Sequence, residues 1–184
     1  MLARSTWATG LAAVAVLGSF ALASMAPAYG ADPLLDGTYR FDFHGAQQTY
    51  NGSPLPTGDT TATYTFTSSC TGDDCIANGV LLSSTDREAV SAHNPEVTLH
   101  FVDGAWQMSL PYDSPCDQAD RTGDSRNQLL TWSLTPQGGN DVLAGTRTVA
   151  TVGNACAGDA TGTLSQAMTA TRVGSAAPGV EPIR

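Results

Sequence analysis

The stretch Glu96–Tyr112, EVTLHFVDGAWQMSLPY, decides the fold class. Two alternating runs flank Asp103-Gly104, a pair suited to a two-residue type I′ turn because both positions tolerate positive φ. With that turn, Val102 faces Ala105, Phe101 faces Trp106, Leu99 faces Met108 and Val97 faces Leu110. Val97, Leu99, Phe101, Trp106, Met108 and Leu110 then share one side, and Glu96, Thr98, His100, Gln107 and Ser109 the other. A slip of one residue would turn the whole apolar set to water, so pattern and turn support each other.

The same alternation recurs on both sides of this hairpin. Tyr39, Phe41 and Phe43 alternate with Arg40, Asp42 and His44, the pattern of a half-buried strand over Gly37–His44. Gly45–Asp59 reads as a polar loop, and its Asn51-Gly52-Ser53 matches a glycosylation acceptor that loop chemistry explains equally well. Thr60–Ser69 puts Tyr64 and Phe66 on one face, and Ile76–Ser83 is read with Ile76, Val80 and Leu82 sharing a face. Thr85–Glu88 resembles a capping box for one short helical turn. Pro111–Asn127 reads as a long loop, followed by Gln128–Pro136 with Leu130, Trp132 and Leu134 in alternation. Asp141–Val152 and Ala160–Val173 are threonine-rich and alternate poorly. The expectation is an all-β domain of about eight antiparallel strands in an up-and-down, barrel-like arrangement. A two-sheet sandwich is the alternative.

The N-terminus reads as an export signal. Arg4 supplies positive charge, Leu11–Ala23 an apolar run, and Ala26-Pro27-Ala28 or Ala28-Tyr29-Gly30 a cleavage site. The run is short of the roughly 20 residues that a membrane span requires. The expected organisation is a signal peptide at 1–30, one disulfide-stapled β-domain at 32–175 and a flexible Ser/Ala/Pro/Gly tail at 176–184. Removing 30 of the 184 residues leaves one domain's worth of chain. That part holds seven arginines against 17 acidic residues, a formal charge of −10. Such a balance argues against nucleic acid or an anionic membrane as partner.

Cys70, Cys75, Cys116 and Cys156 all lie in the mature part, and an even count in an exported chain points to two disulfides. Three pairings are open. Cys70–Cys75 across a short turn with Cys116–Cys156 between two loops is favoured. The spacing does not match zinc patterns.

No catalytic signature is present: no nucleophile elbow, zinc-protease helix motif, phosphate loop or dinucleotide fingerprint. His44 and His100 point away from the apolar faces by alternation, and His93 precedes Asn94-Pro95 in a loop. Asp113, Asp117, Asp120 and Asp124 offer hard oxygens to calcium, but Arg121 and Arg126 stand among them and a solvated, self-paired loop is the better reading. No catalytic residue, cofactor or metal is expected. The aromatic residues are first of all core. A ligand-binding barrel would line its cavity with the same set: Phe41, Phe66, Leu99, Phe101, Trp106 and Trp132.

The opening Gly37-Thr38-Tyr39 strand, the paired cysteines, Thr131–Pro136, Leu143-Ala144-Gly145 and Ala170–Gly174 carry a resemblance. The chain resembles small exported proteins of mycobacteria and related actinobacteria, which are similar to extracytoplasmic segments of some membrane Ser/Thr kinases. The resemblance brings no functional residue to positions here, and no kinase domain or membrane span is read in this chain.

The expectation is therefore a monomeric, extracytoplasmic, non-catalytic domain. It would bind a small apolar ligand or an envelope or protein partner. The alternatives are a secreted hydrolase with a loop-assembled site and a structural envelope component.

Overall fold

The computed structural model describes residues 34–85, 96–115, 125–152 and 161–175, all within the compact unit Ala31–Arg184. Every regular element among them is a strand: β1 (Gly37–Tyr50), β2 (Ser53–Pro54), β3 (Thr60–Thr71), β4 (Asp74–Ser84), β5 (Glu96–Val102), β6 (Ala105–Pro115), β7 (Ser125–Pro136), β8 (Val142–Thr151) and β9 (Thr163–Gly174). Apart from the small β2, chain neighbours are sheet neighbours, all antiparallel, and β9 returns to β1. The result is a closed eight-stranded up-and-down barrel with β2 added beside β1, which settles barrel against sandwich.

The stagger of the barrel can be read from its ladders. From Phe43 the rungs run through Met168, Gly145, Leu134, Trp106, Phe101 and Cys75 to Cys70 on β3. Phe43 also pairs directly with Thr60 on β3, ten residues from Cys70. Eight tilted strands enclose an interior just wide enough to be filled by side chains or to hold one small ligand.

Asp103 and Gly104 both have positive φ, 51° and 80°, as the type I′ turn requires. Phe101 pairs with Trp106 and Val102 with Ala105. Val97, Leu99, Trp106 and Met108 are buried, and Phe101 and Leu110 pack against the core. The β5–β6 ladder nevertheless spans only three pairs, ending at His100–Gln107. Leu99 with Met108, and Val97 with Leu110, share the inner side without adding rungs to it.

Three local expectations are corrected. β1 does not end at His44. It continues through an irregularity between His44 and Thr49 to Tyr50, then turns at Asn51-Gly52, both at positive φ, into β2. Asn51 works as a turn residue there: its Oδ1 accepts from Thr163 N–H at 2.9 Å. Much of Pro111–Asn127 is ladder rather than loop, since β6 and β7 stay paired as far as Pro115–Ser125. On β4 the inward residues are Cys75, Ala77 and Gly79, while Leu82 is exposed and Ile76 and Val80 lie on the opposite face. Small residues stand inside there because the Phe66 ring occupies the space: a Cβ on Gly79 would meet Phe66 Cε1 at 2.3 Å.

The Cys70–Cys75 disulfide is present and joins directly opposed residues of the β3–β4 hairpin. Cys116–Cys156, residues 86–88 of the expected helical turn, His93, and Asp117, Asp120 and Asp124 lie outside the described residues, as do the signal peptide and tail; Thr85 is described, and its N–H donates to Thr61 O at 2.9 Å.

Candidate functional site

One end of the barrel is sealed. Leu35 is fully buried there as a plug. Its N–H donates to Ser68 Oγ at 2.9 Å, and Ser68 N–H donates to Asp36 Oδ1 at 2.7 Å. Asn140 Nδ2 donates to Leu34 O at 2.8 Å, and the Tyr39 hydroxyl donates to Asn140 O at 2.8 Å. Burial pushes the Tyr39 hydroxyl up to about 12; nearby Arg172 opposes that shift, and Asp141 and Asp36 add to it. Tyr39 is therefore a neutral donor at any physiological pH.

Above the plug lies an aromatic floor. Phe41 sits 5.3 Å from Trp132, 5.3 Å from Tyr64 and 6.0 Å from Phe66, centroid to centroid. Phe43 stacks on Phe41 and lies 6.1 Å from Trp132. Of the six residues expected to line a cavity, Phe41, Phe66, Leu99, Trp106 and Trp132 are buried in this inner layer, and Phe101 is half-buried. Phe41, Phe66 and Trp132 come together around one contact network. Phe101 and Trp106 form a second pair, 5.2 Å apart, beside the Asp103-Gly104 turn.

Farther from the plug the lining changes character. On β8, Leu143, Gly145, Arg147 and Val149 follow one parity, and on β9 Leu164, Gln166, Met168 and Ala170 do the same. This places Arg147 and Gln166 inside, at 6% and 4% exposure. The Arg147 guanidinium lies 5.4 Å from the Phe43 ring centroid, a cation–π contact, and Nη1 donates to Gln166 Oε1 at 3.4 Å. Arg147 is paired across the ladder with Trp132. The indole N–H groups of Trp106 and Trp132 are buried without a hydrogen-bond partner among the described residues. Gln48, also buried, holds the β1–β3 connection: its C=O accepts from Leu55 N–H at 2.9 Å, its Nε2 donates to Leu55 O at 3.3 Å, and Thr57 Oγ1 donates to its Oε1.

The sequence reading missed this polar layer. A polar residue at an inward position looks like a lapse in alternation, and only the parity shared with Leu143 or Met168 reveals it. The layer lies toward the end at which β1 leads to β3, β4 to β5, β6 to β7 and β8 to β9, here called the mouth. At its lip, Pro111, Tyr112, Asp113, Asn127 and Gln128 line a cleft of about 290 Å³.

The sequence-stated candidates for chemistry do not converge among the described residues. His100 is exposed on the outer face of β5. His44 Nε2 meets Thr169 Oγ1 at 3.3 Å, on the outer side of β1. No group of three His, Cys, Asp or Glu side chains is placed to hold a metal among the described residues. The outer threonines of β8 and β9 bond across strands, as Thr148 does with Thr131 of β7.

This barrel has known counterparts. The model of the PknI serine/threonine-protein kinase sensor domain matches residues 32–183. The chain belongs to the PknI sensor-domain family. The serine/threonine-protein kinases PknI of Mycobacterium bovis and Mycobacterium tuberculosis are each 31% identical over 135 residues, 66% of this chain and 21% of theirs. The chain thus spans about a fifth of the length of these relatives, and the matched family is a sensor domain rather than a kinase catalytic domain. A solved structure, the monomer form of the M. tuberculosis PknI sensor domain, superposes with a TM-score of 0.62 at 24% identity, covering 82% of this chain and 95% of that one. Its likeness is one of fold. Among the described residues, no helix is long and apolar enough to cross a membrane.

Proposed function

We propose that this PknI-type sensor domain is an extracytoplasmic, non-catalytic binding module, and that its mouth engages an envelope component. That component is either a small molecule reaching the polar layer or a partner seated on the lip. The observation that carries the reading is the asymmetry of the barrel interior. One end is stoppered by Leu35 and tied by hydrogen bonds, whereas the other carries buried Arg147 and Gln166 above an aromatic floor. Burying polar groups in a barrel is costly unless they serve the fold or a ligand. The rings of the floor already fill one another's space, so a ligand gains contact at the mouth more readily than beneath it. The disulfide and the family membership support an oxidising, extracytoplasmic setting.

Native mass spectrometry of protein purified from its own host tests the reading. A mass excess lost on denaturation and regained on refolding with host extract supports a small ligand. A bare mass, with no partner cross-linked to lip residues in intact cells, refutes it. The enzyme alternative is tested with a panel of ester, peptide and glycoside substrates. Turnover abolished by replacing His93 or His100 would overturn the non-catalytic reading.

A further inference from the structure

The β5–β6 seam stops short of what its strands could form. In a two-residue hairpin the pair flanking the turn exchanges both main-chain bonds, and bonded and non-bonded pairs then alternate. Val102–Ala105 and His100–Gln107 are therefore the bonded pairs. Continued along each strand, the alternation makes Thr98 and Glu96 direct their main-chain groups from β5 toward β6, and Ser109, Pro111 and Asp113 theirs from β6 toward β5. In continued register Thr98 would face Ser109 and Glu96 would face Pro111, yet no rung joins either pair. Pro111 supplies a reason, since it has no N–H to give Glu96. Each strand stays instead with its outer neighbour, β5 with β4 as far as Val80–Glu96 and β6 with β7 as far as Pro115–Ser125. The Thr98 hydroxyl also turns from the seam and donates to Asn78 Oδ1 on β4 at 3.0 Å.

Among the described residues this leaves an edge of β6 open toward the mouth. It presents the N–H of Ser109 and Asp113 and the C=O of Ser109, Pro111 and Asp113, a set richer in acceptors than in donors. Its two faces differ. Ser109, Pro111 and Asp113 are exposed on the outer side, and Glu96 and Thr98 are exposed across the seam. Leu110 and Tyr112 lie on the inner side, against the core. An open edge is a template for an added strand, in which main-chain bonds give affinity and alternate side chains give selectivity. Asp113 and Glu96 set negative charge on its outer side, in a chain with no lysine and a formal charge of −9.

We infer that β6 binds an extended, cationic polypeptide segment of a protein partner, which runs antiparallel to it along Ser109–Asp113. This rests on the reading that a partner seats on the lip, and it states that partner's chemistry. The alternation fixes the pattern of the segment. Its residues opposite Ser109, Pro111 and Asp113 donate their N–H groups to β6 and turn their side chains outward, toward Asp113 and Glu96, so these are the cationic ones. The residues between them turn inward over Leu110 and Tyr112 and are apolar, and their main-chain groups face away from β6. The experiment is amide-resolved NMR titration of the whole domain with a capped peptide of alternating arginine and valine. It should shift the Ser109 and Asp113 amides saturably. N-methylation of its arginines should abolish binding, and N-methylation of its valines should leave affinity within about twofold. Ser109→Pro removes one edge donor and, like Pro111, leaves the β6–β7 ladder in place; it should weaken binding about tenfold, while Ser109→Ala, which keeps the N–H, should bind as the parent does. Asp113→Asn should weaken binding about threefold.

Absence of saturable shifts with the arginine–valine peptide overturns the inference, as does equal binding of a glutamate–valine peptide. Binding lost on methylating the valines but kept on methylating the arginines does so too, and so does affinity insensitive to Ser109→Pro. Self-association through this edge without peptide binding also overturns it. If Ser109→Pro does not fold, the two methylated peptides decide the matter on the parent protein. A small ligand found by native mass spectrometry, or a partner cross-linked elsewhere on the lip, beside a silent titration refutes the strand site alone and leaves the mouth-binding reading standing.

Discussion

Replacing Gly79 with alanine should destabilise the barrel, although the usual expectation for that change is the reverse. Gly79 lies mid-strand on β4 and does not need positive φ. Alanine there restricts the unfolded chain and, with room available, would stabilise by about 0.4–1 kcal/mol. Room is what is missing. The new Cβ would sit 2.3 Å from Phe66 Cε1 and 2.8 Å from Cδ1 and Cζ, where ordinary contact begins at 3.4 Å. The ring must retreat by more than an ångström, yet it is fully buried and its centroid lies 5.9–6.0 Å from Tyr39, Phe41 and Tyr64. Overpacking of this kind costs about 1–3 kcal/mol, and a site hemmed in on three sides belongs at the upper end. The net loss should be about 2 kcal/mol, or roughly 4–8 °C in midpoint temperature for a domain of this size. Urea unfolding of Gly79→Ala, Phe66→Leu and the double variant measures it. The double variant should recover at least about 1 kcal/mol relative to the sum of the singles, because the smaller side chain yields the space. Gly79→Ala unfolding within 0.5 kcal/mol of the parent, or no coupling with Phe66, would refute the packing argument.

Three further outcomes follow from the same geometry. Arg147→Ala should lose about 3 kcal/mol in urea unfolding, by stripping the stem from Phe43 and leaving Gln166 buried beside a gap, and Arg147→Met should recover at least half. Tyr39 keeps its proton to about pH 12 when folded but only to about 10 when unfolded, so its contribution is intact below pH 10 and declines toward pH 12. The loss should be about 1–2 kcal/mol, visible as a falling melting temperature and absent in Tyr39→Phe. Replacing Cys70 and Cys75 together with serine closes no loop in the unfolded chain and should cost about 2 kcal/mol, read as a lower urea midpoint.

The hairpin at Asp103-Gly104 was legible because turn chemistry and alternation agree, and the Tyr39–Phe43 and Leu130–Leu134 faces because large apolar residues keep strict parity. β4 was misread for the opposite reason. Its inward residues are Ala77 and Gly79, and hydrophobic size points to Ile76, Val80 and Leu82 instead. What decides that strand is the Phe66 ring on its neighbour, a tertiary fact that no window along β4 contains. The β6–β7 extension was hidden by Pro111, Pro115 and the aspartates, residues that mark loops when considered singly but that a ladder already in register accommodates at its end. The polar layer was the least visible. Arg147 and Gln166 obey the parity of their strands but not its chemistry, and such exceptions tend to coincide with sites of use.

The β5–β6 junction, closed by only three rungs, gives the barrel a weak stave. Local opening follows the fewest hydrogen bonds, so this wall should part sideways well before the barrel unfolds as a whole. Amides along β5 and β6 past His100 and Gln107 would exchange with deuterated water faster than those of β7 or β9.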